Sequence, residues 1–221
     1  MRKPIKESLE SLFPVVVQQR EYGDSPLNAA LLSLVKKMQA DHGIANKVTV
    51  DSITTVGGYQ PDVILHERCA SDSAWNEFIR EIVEPSVAAY MAGHQKLAGW
   101  PVQGTRWLIT ASWAVLYPAG AYQAPHLHRD ISCVLTYYAR VPVRPRPEGA
   151  IGFINPHVES TFPARKNWAY DRHYFPMDGT CLVFPGWLQH FAHPHFAADE
   201  ERLIFSLDVL FDPPLATSSR T

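Results

Sequence analysis

The residues of this chain best spaced for chemistry are His126 and His128, set one apart in Tyr122-Gln-Ala-Pro-His126-Leu-His128. They are answered far along the chain by His190 in Phe184-Pro-Gly-Trp187-Leu188-Gln-His190. Side chains of an extended strand alternate between faces, so His126 and His128 on a strand reach toward one ion, whereas a helix would splay them. Imidazole suits zinc, copper, iron and nickel, and a third histidine from a distant strand completes a three-point shell with positions left open. A second register competes: His128-Arg129-Asp130 fits a triad of two histidines and one carboxylate. Arg202 opens the last apolar strand, and its planar fork can meet a carboxylate in a bidentate, charge-assisted pair. His193 and His195 also alternate, but His-Pro-His reads as an exposed turn. His42, His66, His94, His157 and His173 lack partner spacing and read as surface or structural residues.

The elements that must position these groups are strands. From Thr105 the apolar period is two: Trp107, Ile109, Ala111, Trp113, Val115 and Tyr117 read as one face of a strand. Further strands follow at Tyr122 to His128, Cys133 to Val141, Ala150 to Ile154, Thr180 to Phe184 and Arg202 to Phe211. Many short strands broken by proline and glycine suggest a sandwich or jelly roll. In the last one Leu203, Phe205, Leu207, Val209 and Phe211 form a packed face, while Arg202, Ile204, Ser206 and Asp208 line a polar cavity. The first hundred residues read as helical. One amphipathic helix starts at Ser25-Pro26, presents Leu27, Leu31, Leu34, Val35 and Met38, and stops at Gly43. Another starts near Ser71 or Asp72, buries Trp75, Phe78, Ile79 and Ile82, and is kinked or restarted by Pro85. Thr54 to Gln60, Val143 to Gly149 and Glu159 to Asp178 read as loops.

A chain of 221 residues that is 46% hydrophobic can bury one sizeable core, so a single domain over 1–221 is expected. Its parts are a helical or mixed section over 1–104, a β core over 105–213 and a flexible tail over 214–221. The 20 Lys plus Arg against 22 Asp plus Glu leave no basic footprint for nucleic acid, which favours a small-molecule or peptide substrate. No apolar run is long enough for a membrane span or a signal core. Cys69, Cys133 and Cys181 form no CxxC pair, which points to a reducing cytoplasm. A homodimer is left open.

The pattern resembles the non-haem Fe(II) and 2-oxoglutarate dependent oxygenases, and within them a bacterial and phage group. The residues carrying the resemblance are Trp113, Gly120, His126-Leu-His128, Tyr137-Tyr138, Gly179, Phe184-Pro-Gly-Trp187-Leu188-Gln-His190 and Arg202. The resemblance implies a mainly β fold with N-terminal packing helices, a double-stranded β-helix (a jelly roll, cupin-like). It implies Fe(II), O2 and 2-oxoglutarate, and an enzyme that hydroxylates its substrate with release of succinate and CO2. On it, His126, His128 and His190 hold the metal, and Arg202 clamps the far carboxylate of 2-oxoglutarate, with Tyr138 and Ser206 adding hydroxyls. The group's own pattern is HxH, which favours His126 over Asp130 and leaves Asp130 as an acceptor behind a ligand or as a turn residue. The chain departs from the group at Val115, at Val134-Leu135 and at Ile204, leaving the metal residues untouched.

Two other readings share the pattern. Gly120-x5-His126-x-His128 also follows the first cupin motif, which suits a three-histidine dioxygenase or isomerase without 2-oxoglutarate, although no glutamate lies between His128 and Pro147. The other is a non-catalytic, ligand-binding jelly roll. Arg202 separates them, because only an oxoglutarate enzyme needs a buried arginine there.

Overall fold

The computed structural model describes residues 14–50, 54–98, 105–156 and 171–212. His157, the N-terminal 1–13, the tail 214–221 and residues 159–170 of the loop expected over Glu159 to Asp178 lie outside these. Two five-stranded sheets, antiparallel throughout, form the double-stranded β-helix. The major sheet runs β1 (Gln18–Glu21), β8 (Thr180–Pro185), β5 (Cys133–Arg140), β10 (Arg202–Asp212), β3 (Arg106–Tyr117). The minor sheet runs β2 (Thr55–Val56), β4 (Tyr122–His126), β9 (His190–Ala192), β6 (Ile151–Ile154), β7 (Asp171–Tyr174).

The alternation in β10 divides core from cavity as its sequence predicts. Leu203, Phe205, Leu207 and Val209 are fully buried in the main apolar core. Helix α1 (Pro26–Ala40) contributes Leu27, Leu31, Val35 and Met38 to that core, and α2 (Ser73–Phe78) contributes Trp75 and Phe78. The Phe78 ring lies 5.5 Å from Phe205 and 5.2 Å from Tyr137, so the helices cover the major sheet's outer face. The opposite face of β10 presents Arg202, Ile204, Ser206 and Asp208 to a pocket.

Strand β3 corrects the one-face reading of Trp107 to Tyr117. Its pairing with β10 jumps from Asp208↔Ala111 to Val209↔Ile109, leaving Thr110 as the extra residue of a β-bulge. A single inserted residue swaps the faces of everything beyond it. Trp107 and Ile109 therefore pack on the helix side, while Trp113, Val115 and Tyr117 face the cavity side.

Some segments expected as loops are paired. Thr55–Val56 forms an edge strand on β4, and Asp171–Tyr174 pairs with β6. The second helix begins where its cap predicts, with the Asp72 carboxylate accepting from the Ala74 and Trp75 N–H groups. A π-helical turn over Ile79–Val83 then joins it without a break to α3 (Glu84–Ala98), whose second residue is Pro85. Cys69, Cys133 and Cys181 are buried and unpaired by disulfides. Among the described residues no helix is long and apolar enough to cross a membrane.

Candidate metal centre and co-substrate pocket

His126 and His190 face each other across β4 and β9, their ring centroids 4.2 Å apart. His128 lies 5.1 Å from the first ring and 5.3 Å from the second. One ligand atom from each of the three falls within 4.8 Å of the others. The histidines do not share a continuous strand, as their spacing suggests. Pro125 cannot donate to a ladder, the β4–β9 register shifts between Gln123 and His126, and β4 ends at His126. His128 sits in the following turn, where its N–H donates to the Gly186 carbonyl at 2.9 Å. Tertiary contact, rather than strand alternation alone, brings it to the other two.

The outer ring nitrogens fix the tautomers. His126 Nδ1 donates to the Ala124 carbonyl at 2.9 Å, and His190 Nδ1 donates to the Leu188 carbonyl at 3.0 Å. His128 Nδ1 lies 2.7 Å from Asp208 Oδ1. With each Nδ1–H committed, the Nε2 lone pairs are left for a metal. His128 Nε2 is buried with no hydrogen-bond partner, an orphan that a metal ion would satisfy. Burial pushes the His190 pKa down to about 3, with His126 adding to the shift, and burial likewise lowers His126. Both are thus neutral at ordinary pH, the form that can ligate.

Two residues around the triad were not legible as partners in the sequence. Asp208, visible only as one polar position of β10, is the acceptor for His128. The Trp113 ring stacks on His128 at 5.6 Å and 16°. The only signal for Asp208 was the period of two that sets 202, 204, 206 and 208 on one face. Asp130, the carboxylate of the competing register, is exposed and sits in the turn with φ 61°. It is not among the clustered ligand atoms.

Arg202 is 1% exposed, and its guanidinium stacks 4.6 Å from the Tyr117 ring centroid. Nη1 donates to the carbonyls of Gly149 at 3.0 Å and His193 at 3.1 Å, while Nε and Nη2 are buried without partners. Burial lowers its pKa, partly offset by the hydroxyls of Tyr117 and Tyr138. A buried cation with two unused donors fits a carboxylate guest. Tyr138 and Ser206 line the same pocket, and Ser206 Oγ lies 3.3 Å from Thr136 Oγ1. His193 and His195 stay outside the triad: His195 Nε2 donates to the Tyr117 carbonyl at 3.0 Å, and His193 Nε2 lies 3.0 Å from His173 Nε2.

A double-stranded β-helix thus encloses three metal-ready imidazoles and a buried guanidinium. Residues 111–208, the span holding His126, His128, His190 and Arg202, match the family model described as "Putative 2OG-Fe(II) oxygenase". The matched span is thus similar to the 2OG-Fe(II) oxygenases, enzymes that use Fe(II), 2-oxoglutarate and O2. Solved structures share the fold. A Pseudomonas putida prolyl-4-hydroxylase is similar at TM-score 0.56 and 14% identity, over 87% of this chain and 91% of that one. A Trichoplax adhaerens prolyl hydroxylase, in complex with a hypoxia inducible factor peptide fragment, is similar at TM-score 0.56 and 13% identity, over 89% and 83%. HygX from Streptomyces hygroscopicus, with nickel and 2-oxoglutarate bound, is similar at TM-score 0.53 and 12% identity, over 91% and 83%. No curated protein sequence matches the chain. The cupin and non-catalytic readings are not favoured.

Proposed function

We propose that His126, His128 and His190 hold Fe(II) through Nε2, and that Arg202 receives the far carboxylate of 2-oxoglutarate with Tyr138 and Ser206 beside it. The observation that carries this reading is the coincidence, in one pocket, of a buried unpartnered imidazole nitrogen and a buried guanidinium with two unpartnered donors. Bound there, Fe(II) and 2-oxoglutarate supply the oxidation: O2 gives one atom to the succinate formed as CO2 leaves and the other to a hydroxylated substrate. The chain's residues bind and orient. Nδ1 contacts hold each imidazole's aim, and Arg202 fixes the co-substrate from the pocket floor through a fork anchored on Gly149 and His193. Trp113, Ile151 and Ile204 wall the pocket with apolar surface that limits water.

The substrate is a small molecule or peptide that carries an anionic group. Lys47 and Arg129 line the pocket, and its one carboxylate among the described residues, Asp208, is engaged by His128. The buried free thiols suit a reducing compartment such as the cytoplasm. Anaerobic addition of Fe(II) and then 2-oxoglutarate tests the core of the reading. A weak visible charge-transfer band that needs both additions is expected, and its absence at saturating concentrations would refute it.

A further inference from the structure

The donor set has an unusual charge. Three imidazoles with their protons on Nδ1 are neutral, so they would leave a divalent ion with its full charge of two, where a carboxylate ligand would have halved it. The carboxylate is nevertheless nearby. Asp208 Oδ1 lies 2.7 Å from His128 Nδ1, a short distance for a charge-assisted hydrogen bond, and the two side chains are only 16% and 9% exposed. Asp208 is pinned from both sides, paired with Val134 on β5 and with Ala111 on β3 immediately before the Thr110 bulge. Trp113 stacks on His128. Ring plane and ring direction are thus both fixed before any ion arrives.

We propose that Asp208 is the positioning carboxylate of this metal centre: through His128 it supplies, one hydrogen bond out, the negative charge that a carboxylate ligand would supply directly. The proposal rests on His128 being a ligand. A carboxylate accepting from Nδ1–H raises electron density at Nε2, strengthens that bond to a metal and selects the ligating tautomer. Asp208 does this without touching the ion, since its Oδ1 is spent on His128 and it is not among the clustered ligand atoms. Two roles that one carboxylate would otherwise combine are separated here, with His126 filling the coordination position and Asp208 providing the charge. The centre can then retain metal before 2-oxoglutarate binds, and the dianion adds to a charge already partly balanced.

The experiment uses the full chain, Co(II) as the probe, and a competing chelator to read affinity with and without 2-oxoglutarate, alongside the Co(II) visible spectrum. Asp208→Asn keeps an acceptor for Nδ1–H but removes the charge. It should lower Co(II) affinity by roughly 10-fold, and Asp208→Ala by up to roughly 100-fold. Both should keep the parent band shape, because the three nitrogen ligands are unchanged. Saturating 2-oxoglutarate should restore more affinity to Asp208→Asn than it adds to the parent, a difference that a purely structural defect would not produce. Parent-like affinity of Asp208→Asn without co-substrate overturns the proposal, as does a changed band shape, which would make Asp208 a direct ligand. His190→Ala is the control for the underlying site: if it binds Co(II) like the parent, the ligand assignment itself fails. If it loses the ion while Asp208→Asn keeps it, only the role of Asp208 fails.

Discussion

Replacing Arg202 by lysine should separate co-substrate binding from metal binding. Nη1 already holds the carbonyls of Gly149 and His193, so the edge left for a guest is Nε and Nη2, two unpartnered donors of a residue that lines the pocket. Lysine keeps a cation able to reach the buried carbonyls but cannot present a second, parallel donor. The loss is one charge-assisted hydrogen bond of about 1.5–3 kcal/mol. At about 1.4 kcal/mol per decade that weakens 2-oxoglutarate roughly 10- to 100-fold. Calorimetric titration of 2-oxoglutarate into the Co(II)-loaded variant under anaerobic conditions measures it, with chelator competition reporting Co(II) affinity alone. Leucine is the harsher control, since it also strands two carbonyls, each left bare at about 1–3 kcal/mol of stability. Unchanged 2-oxoglutarate affinity in Arg202→Lys, or an equal fall in Co(II) affinity, would refute the carboxylate clamp.

His190→Ala should abolish Fe(II) binding and succinate formation and leave the far-ultraviolet spectrum unchanged, because the residue lies on a three-residue strand at the cavity; turnover at the parent rate would move the ligand elsewhere. Asp130→Ala should keep parent Fe(II) content while His126→Ala loses it, and metal analysis of both variants showing the reverse order would restore the competing register. The metal-free protein should lose stability in acid: with His190 held down to about 3, the unfolded chain takes up its proton first, near the ordinary histidine value of about 6.5. Stability is therefore whole above that pH and falls as pH drops toward 3, by about 2 kcal/mol at pH 5, with melts of His190→Asn showing a shallower decline if the assignment holds. Gly179→Ala should destabilise the fold by well over the roughly 1–2 kcal/mol of a left-handed backbone, because φ there is +80° and a Cβ would lie 2.0 Å from the Gly23 carbonyl oxygen; a denaturant midpoint equal to the parent's would contradict this.

Features that depend only on local period and residue type are legible along the chain. Strand β10 announced both of its faces, since side chains alternate whatever lies around them, and its apolar positions could only be packed. The start of α1 at Pro26 and the Asp72 cap followed from single residues that act on their own backbone. The candidate set His126, His128, His190 and Arg202 could be named from residue type and spacing, and the fold brings the four into one pocket. Tertiary structure decided what depends on a partner strand. The bulge at Thr110 exists only in the register between β3 and β10, so nothing in β3 alone could show that Trp107 and Trp113 face opposite ways. β2 and β7 are short edge strands whose sequences hold no strong period, and pairing alone makes them strands. His128 belongs to a turn that the fold, and the Gly186 carbonyl, bring back to the site. Asp208 reads in the sequence as any polar residue on a cavity face. Its meaning depends on an imidazole eighty positions earlier, and hydrogen-bond partners across such a span are fixed only when the sheet closes.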